Sequence, residues 1–364
     1  METRTTELQT KSRSTERNLL LSAGPCSAET EAQMMETALR LKSLGVNLFR
    51  AGVWKPRTKP GQFEGVGERG LFWLRKIKRE TGMRVATEVA TASHVNAALK
   101  YDIDVLWIGA RTTANPFAVQ EIADALRGRK VEVMVKNPLN PDPALWMGAL
   151  QRIKEAGVKH IYAIHRGFSS YGKNIYRNPP QWQVALEVKQ QMPAIPMICD
   201  PSHMGGARKH IAPLSQKALD LGYDGLMVEV HHNPEKAWSD KSQQLTPEAF
   251  LRILESLIIR DETTEAESTK LDCLRKKIDR IDDDLLELLA ERMGVATQIG
   301  EVKKEQSVTI LQSGRWQQIL GKLEKRGRSL GLSNTFLHEI LKSIHQESIN
   351  HQEQVMSGKN EAVN

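Results

Sequence analysis

Eight short apolar runs recur along the first 260 residues, each pair separated by enough chain to hold a helix, and no other feature restricts the fold as much. The runs are 19–23, 47–51, 84–88, 105–108, 131–135, 160–164, 196–198 and 225–230. Helical patterning fills 31–44, 68–80, 92–100, 117–126, 143–156, 180–191, 207–221 and 247–258. Strands alternating with helices build a parallel sheet, and eight such units predict an α/β fold closed into a (β/α)8 TIM barrel over 18–260. In that fold the residues at the C-terminal ends of distant strands share one rim. At or just past the run ends stand Cys26, Arg50 with Lys55 and Arg57, Glu88, Arg111, Lys136, Arg166, Asp200 with His203, and Glu229.

Beyond the eighth unit the pattern changes. Residues 261–268 are polar, charged and without apolar periodicity, which reads as a linker. From 269 to 358 the patterning is helical only. Leu271, Leu274, Ile278, Ile281, Leu285, Leu288, Arg292, Val295, Ile299 and Val302 follow one another in steps of three and four, the spacing of a coiled-coil seam. A helix over 269–304 would be about 54 Å long at 1.5 Å per residue, wider than a small domain, so its stripe is expected to meet a second copy of the chain. Two shorter helices are expected at 314–326 and 334–355, parted by a Gly-rich turn at 327–331. The terminal stretches 1–17 and 359–364 read as disordered tails.

Composition narrows the chemistry. With 364 residues the chain has room for a barrel of about 250 residues and a smaller domain. Three scattered cysteines, Cys26, Cys199 and Cys273, form no disulfide framework and point to a reducing, cytoplasmic setting. No apolar run approaches the roughly 20 residues of a membrane span, and Glu2, Glu7 and Glu16 argue against a transit peptide. The 17 residues ahead of the barrel are expected to be too few for a regulatory domain. A net charge of +7 is accompanied by only 5% aromatic residues and by no recognition motif. An anionic small-molecule substrate explains the excess better than nucleic acid does.

Two constellations carry chemistry in the barrel. Cys26, His203, Glu229 and Asp240 offer a thiolate, an imidazole and two carboxylates, a donor set suited to Mn, Fe, Co or Zn rather than Mg. A lone cysteine is more often a buried filler, and Cys199 and Cys273 are read that way. Cys26 differs because it follows the first strand directly after Gly24-Pro25. His231 and His232 are read as surface-loop residues. Arg50, Lys55, Arg57, Arg111, Lys136 and Arg166 recur at half-buried strand ends, where an unpaired charge is costly, so substrate phosphate or carboxylate groups are their expected partners.

The motifs Gly24-Pro-Cys-Ser, Lys55-Pro-Arg-Thr, Ile108-Gly-Ala-Arg, Val135-Lys-Asn-Pro, His165-Arg-Gly, Asp200-Pro-Ser-His and Val228-Glu-Val-His make 18–258 resemble type I-beta 3-deoxy-D-arabino-heptulosonate 7-phosphate (DAHP) synthase. Such enzymes join phosphoenolpyruvate to erythrose 4-phosphate. The resemblance implies that Arg50, Lys55, Ala110, Arg111, Lys136 and Arg166 hold phosphoenolpyruvate and that Arg57 and Thr58 bind the aldose phosphate. It also implies one divalent ion per barrel, Mn2+ foremost and otherwise Fe2+, Co2+ or Zn2+, held by Cys26, His203, Glu229 and Asp240. Lys55 and Glu88 are the expected proton-handling residues. Lys59 departs from the pattern, which has Ser there. Arabinose 5-phosphate, the substrate of the sister octulosonate synthases, is disfavoured by Lys55-Pro-Arg-Thr.

In the helical segment, with Leu271 at heptad position a, Arg275, Arg292 and Lys303 fall at e, a and e; further polar residues are Arg315, Ser348 and Gln352. An ordinary dimerising coiled coil accounts for Arg275 and Lys303 but not for a cation inside the seam. Through these residues 271–354 resembles the all-helical class of chorismate mutase, a three-helix domain forming an interlaced dimer in which each site borrows the partner's Arg275. By that resemblance Arg275, Arg292 and Arg315 grip the carboxylates of chorismate, Ser348 assists binding, and Lys303 and Gln352 donate to the ether oxygen on the way to prephenate. Gln312 stands where the family often has an aspartate contacting the substrate hydroxyl, which implies weakened or retuned activity. The alternative reading makes the helical part a metabolite-sensing, dimerising module. Feedback is expected to come through the barrel itself or through this domain, and prephenate or chorismate in the mutase site is expected to weaken synthase-substrate binding.

Overall fold

The computed structural model describes residues 19–57, 59, 61–172, 174–260, 268–311 and 313–357. The expected tails and nearly all of the expected linker lie outside them. The chain divides into two units, Met1–Glu262 and Thr263–Asn364.

In the first unit, β1 (Leu20–Gly24), β2 (Leu48–Arg50), β3 (Arg84–Val89), β4 (Val105–Ile108), β5 (Glu132–Lys136), β6 (Ile161–His165), β7 (Met197–Cys199) and β8 (Gly225–Glu229) form a closed barrel in sequence order. Every neighbouring pair is parallel, and β1 closes on β8 with Gly24 beside Glu229. Around it lie α1 (Glu31–Ser43), α2 (Glu68–Thr81), α3 (Ala92–Lys100), α4 (Ala110–Thr113), α5 (Pro116–Leu126), α6 (Pro143–Glu155), α7 (Trp182–Gln191), α8 (Pro201–Gly205), α9 (Ile211–Asp220) and α10 (Pro247–Ser256). The short helices α4 and α8 are additions to the expected eight, and two expected starts move, from 180 to Trp182 and from 207 to Ile211.

Local chemistry fixes where these helices begin. Thr30, Thr91, Asn115, Asp142, Asp200 and Thr246 each accept a first-turn backbone N–H, which satisfies a donor that the helix itself leaves unpaired. Four of those caps are followed by proline, whose missing N–H costs nothing at that position.

The barrel interior decides where the chemistry sits. Leu48, Ala86, Val105, Trp107, Met134, Ile164, Ile198 and Met227 form one buried apolar cluster drawn from the strands. Side chains alternate sides along a strand, so the next interior residue lies two positions on: Arg50, Glu88, Lys136 and Glu229 on β2, β3, β5 and β8, with Arg166 and Asp200 just past β6 and β7. An apolar floor therefore carries a layer of charge above it.

The second unit consists of α11 (Ser268–Glu305), α12 (Ser313–Ser329) and α13 (Asn334–Ser357). On α11 the seam residues Leu271, Leu274, Ile278, Ile281, Leu285 and Leu288 are exposed. No helix among the described residues is long and apolar enough to cross a membrane.

Gly24 joins β1 to the loop that bears Cys26. Its φ is +152°, and a Cβ there would lie 2.1 Å from the Arg50 carbonyl oxygen. Gly24→Ala should destabilise the barrel by about 3 kcal/mol through overpacking and backbone strain, seen as an earlier denaturant transition in tryptophan fluorescence. An unchanged midpoint would contradict the close approach.

Candidate active site

Above the apolar floor a cavity of about 400 Å³ opens, and Lys55, Arg57, Glu88, Ala110, Arg111, Lys136, Arg166, His203 and Asp240 are among its lining residues. Glu229 lies beneath it, 1% exposed. Its Oε1 accepts from Arg50 Nη1 at 3.1 Å and its Oε2 from Gln243 Nε2 at 2.7 Å. Burial would raise this carboxyl, but the charges of His203 and Arg50 hold it below the ordinary range. Arg50 in turn lies over the Trp107 ring, 4.6 Å from its centroid. Trp107 Nε1 donates to Glu88 at 3.2 Å, and Glu88 fits there because residue 109 is glycine: a Cβ at Gly109 would come within 2.1 Å of Glu88 Oε1.

Three of the four expected metal donors form one group, and the fourth, His203, stands beside it against Glu229. Donor atoms of Cys26, Glu229 and Asp240 all lie within 4.8 Å of one another, with Cys26 Sγ 3.2 Å from Asp240 Oδ2. His203 Nε2 is 3.6 Å from Glu229 Oε1, and its Nδ1 is fixed by Asp200 at 2.8 Å. Such a carboxylate behind the ring sets the imidazole's orientation and leaves the other nitrogen to bind. Burial first, and then the Glu229 charge, push the Cys26 thiol up to about 12. Thiol, imidazole and two carboxylates fit a borderline divalent cation, whose charge favours the thiolate form. Lys55 Nζ stands 3.1 Å from Cys26 Sγ. Burial works against its charge, but Cys26, Glu88 and Glu229 together raise its pKa and keep it an ammonium.

The cations occupy distinct places. Lys136 Nζ pairs with Asp200 at 2.8 Å, side chains 6% and 1% exposed. Arg166 is held at its backbone N–H by Asn137 Oδ1 at 2.7 Å; burial foremost brings its guanidinium down to about 10. Arg57 Nε donates to the Phe63 carbonyl at 2.9 Å. Thr58 lies outside the described residues, and Lys59 is exposed and is not among the residues lining the cavity.

Some site residues were not legible beforehand. Arg177 Nη1 reaches Asp240 Oδ1 at 2.9 Å and Gln243 Oε1 at 3.0 Å. It sits in the connection from β6 to α7, and the signal was that connection's length, well beyond the 2–6 residues usual for a βα loop. His231 is not the surface residue expected: it is 1% exposed, with Nε2 3.6 Å from Glu29. His232 is half-buried and stacks on it.

In the helical unit Arg292 Nη1 donates to Ser348 Oγ, and Lys303 Nζ to Gln352 Oε1 at 2.9 Å. Ser348 and Gln352 are buried. Arg275 is exposed beside Asp272 and lies about 25 Å along α11 from Arg292. Gln312 and the Arg315 side chain lie outside the description.

A family model described as DAHP synthetase I family matches residues 5–265, most of the chain. The chain belongs to that family. A second model, chorismate mutase type II, matches 274–353. A phospho-2-dehydro-3-deoxyheptonate aldolase of Thermotoga maritima is 35% identical over 235 residues, 65% of this chain and 68% of that protein. A 2-dehydro-3-deoxyphosphooctonate aldolase of Variovorax paradoxus is 31% identical, covering 67% and 91%. The crystal structure of the DAHP synthase from Thermotoga maritima superposes with a TM-score of 0.59 at 32% identity, over 65% of this chain and 67% of that one. The protein therefore joins a DAHP synthase barrel to a chorismate mutase domain, and the synthase family is metal-dependent.

Asp200 serves both Lys136 and His203. Burial would raise its carboxyl, but the charges of His203 and Lys136 hold it well below its ordinary 3.8. Asp200→Asn should cost about 3 kcal/mol of barrel stability near pH 7, the effect of stripping one partner from a buried pair. With the folded-state pKa depressed, the wild-type advantage is complete above the unfolded value and fades only as pH falls below it. Denaturant midpoints of both proteins, followed from neutral pH through about pH 4 and below, test this; equal midpoints at neutral pH, or a gap that widens on acidification, would contradict it.

Proposed function

We propose that the layer of charge above the barrel floor condenses phosphoenolpyruvate with erythrose 4-phosphate, giving 3-deoxy-D-arabino-heptulosonate 7-phosphate and phosphate, while the helical domain rearranges chorismate to prephenate. The observation that carries the first half is the cavity in which Lys55, Arg111, Lys136 and Arg166 meet His203 and Asp240, with donor atoms of Cys26 and Glu229 within 4.8 Å of Asp240. Phosphate and carboxylate are the ligands that such guanidinium and ammonium groups select.

In this reading Arg50, Lys55, Ala110, Arg111, Lys136 and Arg166 orient phosphoenolpyruvate, and Arg57 with Thr58 takes the aldose phosphate. C3 of the enol bonds to the aldehyde carbon, water adds at C2, and the C–O bond to phosphate breaks. Cys26, His203, Glu229 and Asp240 hold one divalent ion, Mn2+ by preference, which when bound supplies Lewis acidity at the aldehyde oxygen. Lys55, kept cationic beside Cys26, gives a proton to the new hydroxyl oxygen. Glu88 takes the proton of the adding water.

In the helical domain Arg292, Arg315 and the partner's Arg275 hold the chorismate carboxylates, assisted by Ser348 and Gln312. Lys303 and Gln352 meet the charge that grows on the ether oxygen. The exposed seam of α11 supports a homodimer through this domain, and the distance from Arg275 to Arg292 supports a site shared between two copies.

Removing one site should spare the other. Cys26→Ala or exhaustive chelation should abolish condensation and bound metal while mutase turnover persists. Arg292→Ala should lower mutase turnover about 100-fold or more, with circular dichroism and dimer mass by analytical ultracentrifugation unchanged. Full condensation at negligible metal content would sink the metal reading, and wild-type mutase rates in Arg292→Ala would sink the second site.

We further propose that prephenate bound at the mutase site restrains the barrel, a coupling that is reciprocal in binding free energy. Prephenate titration should inhibit condensation by the wild type and not by Arg292→Ala. Equal inhibition in both, or none in either, would exclude this route.

A further inference from the structure

The connection from β6 to α7 reaches three of the four residues assigned to the ion. Arg177 Nη1 donates to Asp240 Oδ1 at 2.9 Å and to Gln243 Oε1 at 3.0 Å. Gln243 is fully buried, and its Nε2 donates in turn to Glu229 Oε2 at 2.7 Å. The next residue, Asn178, donates from its backbone to the Met204 carbonyl at 3.0 Å and from Nδ2 to the His203 carbonyl at 2.6 Å. Two consecutive residues, neither of them assigned to the ion, thus tie together the α8 turn that bears His203 and the end of β8 with the loop that follows it.

Chemistry settles the direction of each bond. A guanidinium only donates and a carboxylate only accepts, so one arrangement of the Gln243 amide satisfies both neighbours: oxygen toward Arg177, nitrogen toward Glu229. Asp240 then has Oδ1 engaged, and Glu229 has Oε2 engaged. Their other oxygens face the remaining donors: Asp240 Oδ2 lies 3.2 Å from Cys26 Sγ, and Glu229 Oε1 lies 3.6 Å from His203 Nε2. Glu229 Oε1 also accepts from Arg50 at 3.1 Å, but a carboxylate oxygen has two lone pairs. Fold stability does not account for Arg177, since its side chain is 53% exposed and an ion pair so open to water contributes little. What the bonds do fix is the direction in which two carboxylates point.

We propose that Arg177 is a positioning residue of the barrel site: directly at Asp240, and through Gln243 at Glu229, it takes one oxygen of each carboxylate so that the other is presented to the divalent ion. The assignment rests on the metal reading of the four donors. Groups behind a metal's ligands orient them, and their loss weakens binding of the metal. A guanidinium that only neutralised the carboxylates would instead compete with the cation, and its removal would tighten binding. The two roles differ in sign, which makes them separable.

The full-length protein, freed of metal by chelation and titrated with Mn2+, tests this, with the free ion followed by electron paramagnetic resonance. Arg177→Met keeps a long side chain and removes its donors. Its Kd for Mn2+ should rise about tenfold or more, while near-ultraviolet circular dichroism and the denaturant midpoint stay at the wild-type values, as expected for an exposed side chain. At saturating Co2+ the visible d–d bands of the variant should differ from those of the wild type, because they report how the donors are arranged around the ion. An unchanged Kd, tighter binding, or identical bands at saturation would overturn the assignment of Arg177 and leave the metal reading in place. Wild-type protein that takes up no Mn2+ would overturn both together.

Discussion

Glu229 is a carboxylate that water hardly reaches, and the upper half of the barrel is arranged to keep it charged. Arg50 and Gln243 each take one of its oxygens, and His203 faces it at 3.6 Å. Each partner then needs its own support. Arg50 is laid on Trp107, His203 is turned by Asp200, and Asp200 is balanced by Lys136. The chain of dependence crosses β2, β4, β5 and β8. It runs over an apolar floor that keeps water out from below, and low local dielectric strengthens every satisfied contact in it. The balance is incomplete within the described residues: Arg50 Nε is buried without a partner, and Cys26 with two carboxylates gathers potential negative charge. A divalent ion and an anionic substrate are the complements that such a layer accepts.

The helical domain uses the same physics with different architecture. The cations of α11 face polar side chains of α13, and no nucleophile is required for the rearrangement. Positioning and charge complementarity are enough. Burial of the α11 seam is the part left to a second copy under the dimer proposed above, since Leu285 and Leu288 are 51% and 61% exposed. Arg50, Glu88, Lys136 and Glu229 in the barrel, and Arg292, Lys303, Ser348 and Gln352 in the helical domain, project from regular elements, which is what holds such groups to productive geometry.

Much of this was legible because strand periodicity links position to side. Once 47–51 and 84–88 are read as strands, Arg50 and Glu88 fall at their C-terminal ends, and the structure places both there. Alternation says that they point inward but not which partner they meet: the Arg50–Glu229 pair joins residues 179 apart. Arg177 and Gln243 were hidden for another reason. They come from irregular connections, where no period reports orientation. The short helix α8 escaped because five residues cannot display a helical period, although Asp200-Pro201 was a cap signal in plain view. His231 was misjudged because adjacent His231-His232 looks polar; burial against Glu29 depends on how the β8 loop folds over α1, which sequence spacing does not encode.

In the proposed function, one divalent ion held between β1 and β8 completes the charged layer of the barrel. Anomalous diffraction from crystals of the manganese-loaded protein tests it most directly. One peak per barrel is predicted, within bonding distance of Cys26 Sγ, His203 Nε2 and carboxylate oxygens of Glu229 and Asp240, and absent from Cys26→Ala. A peak held by other residues, or condensation-competent crystals with no anomalous signal at these four donors, would contradict it.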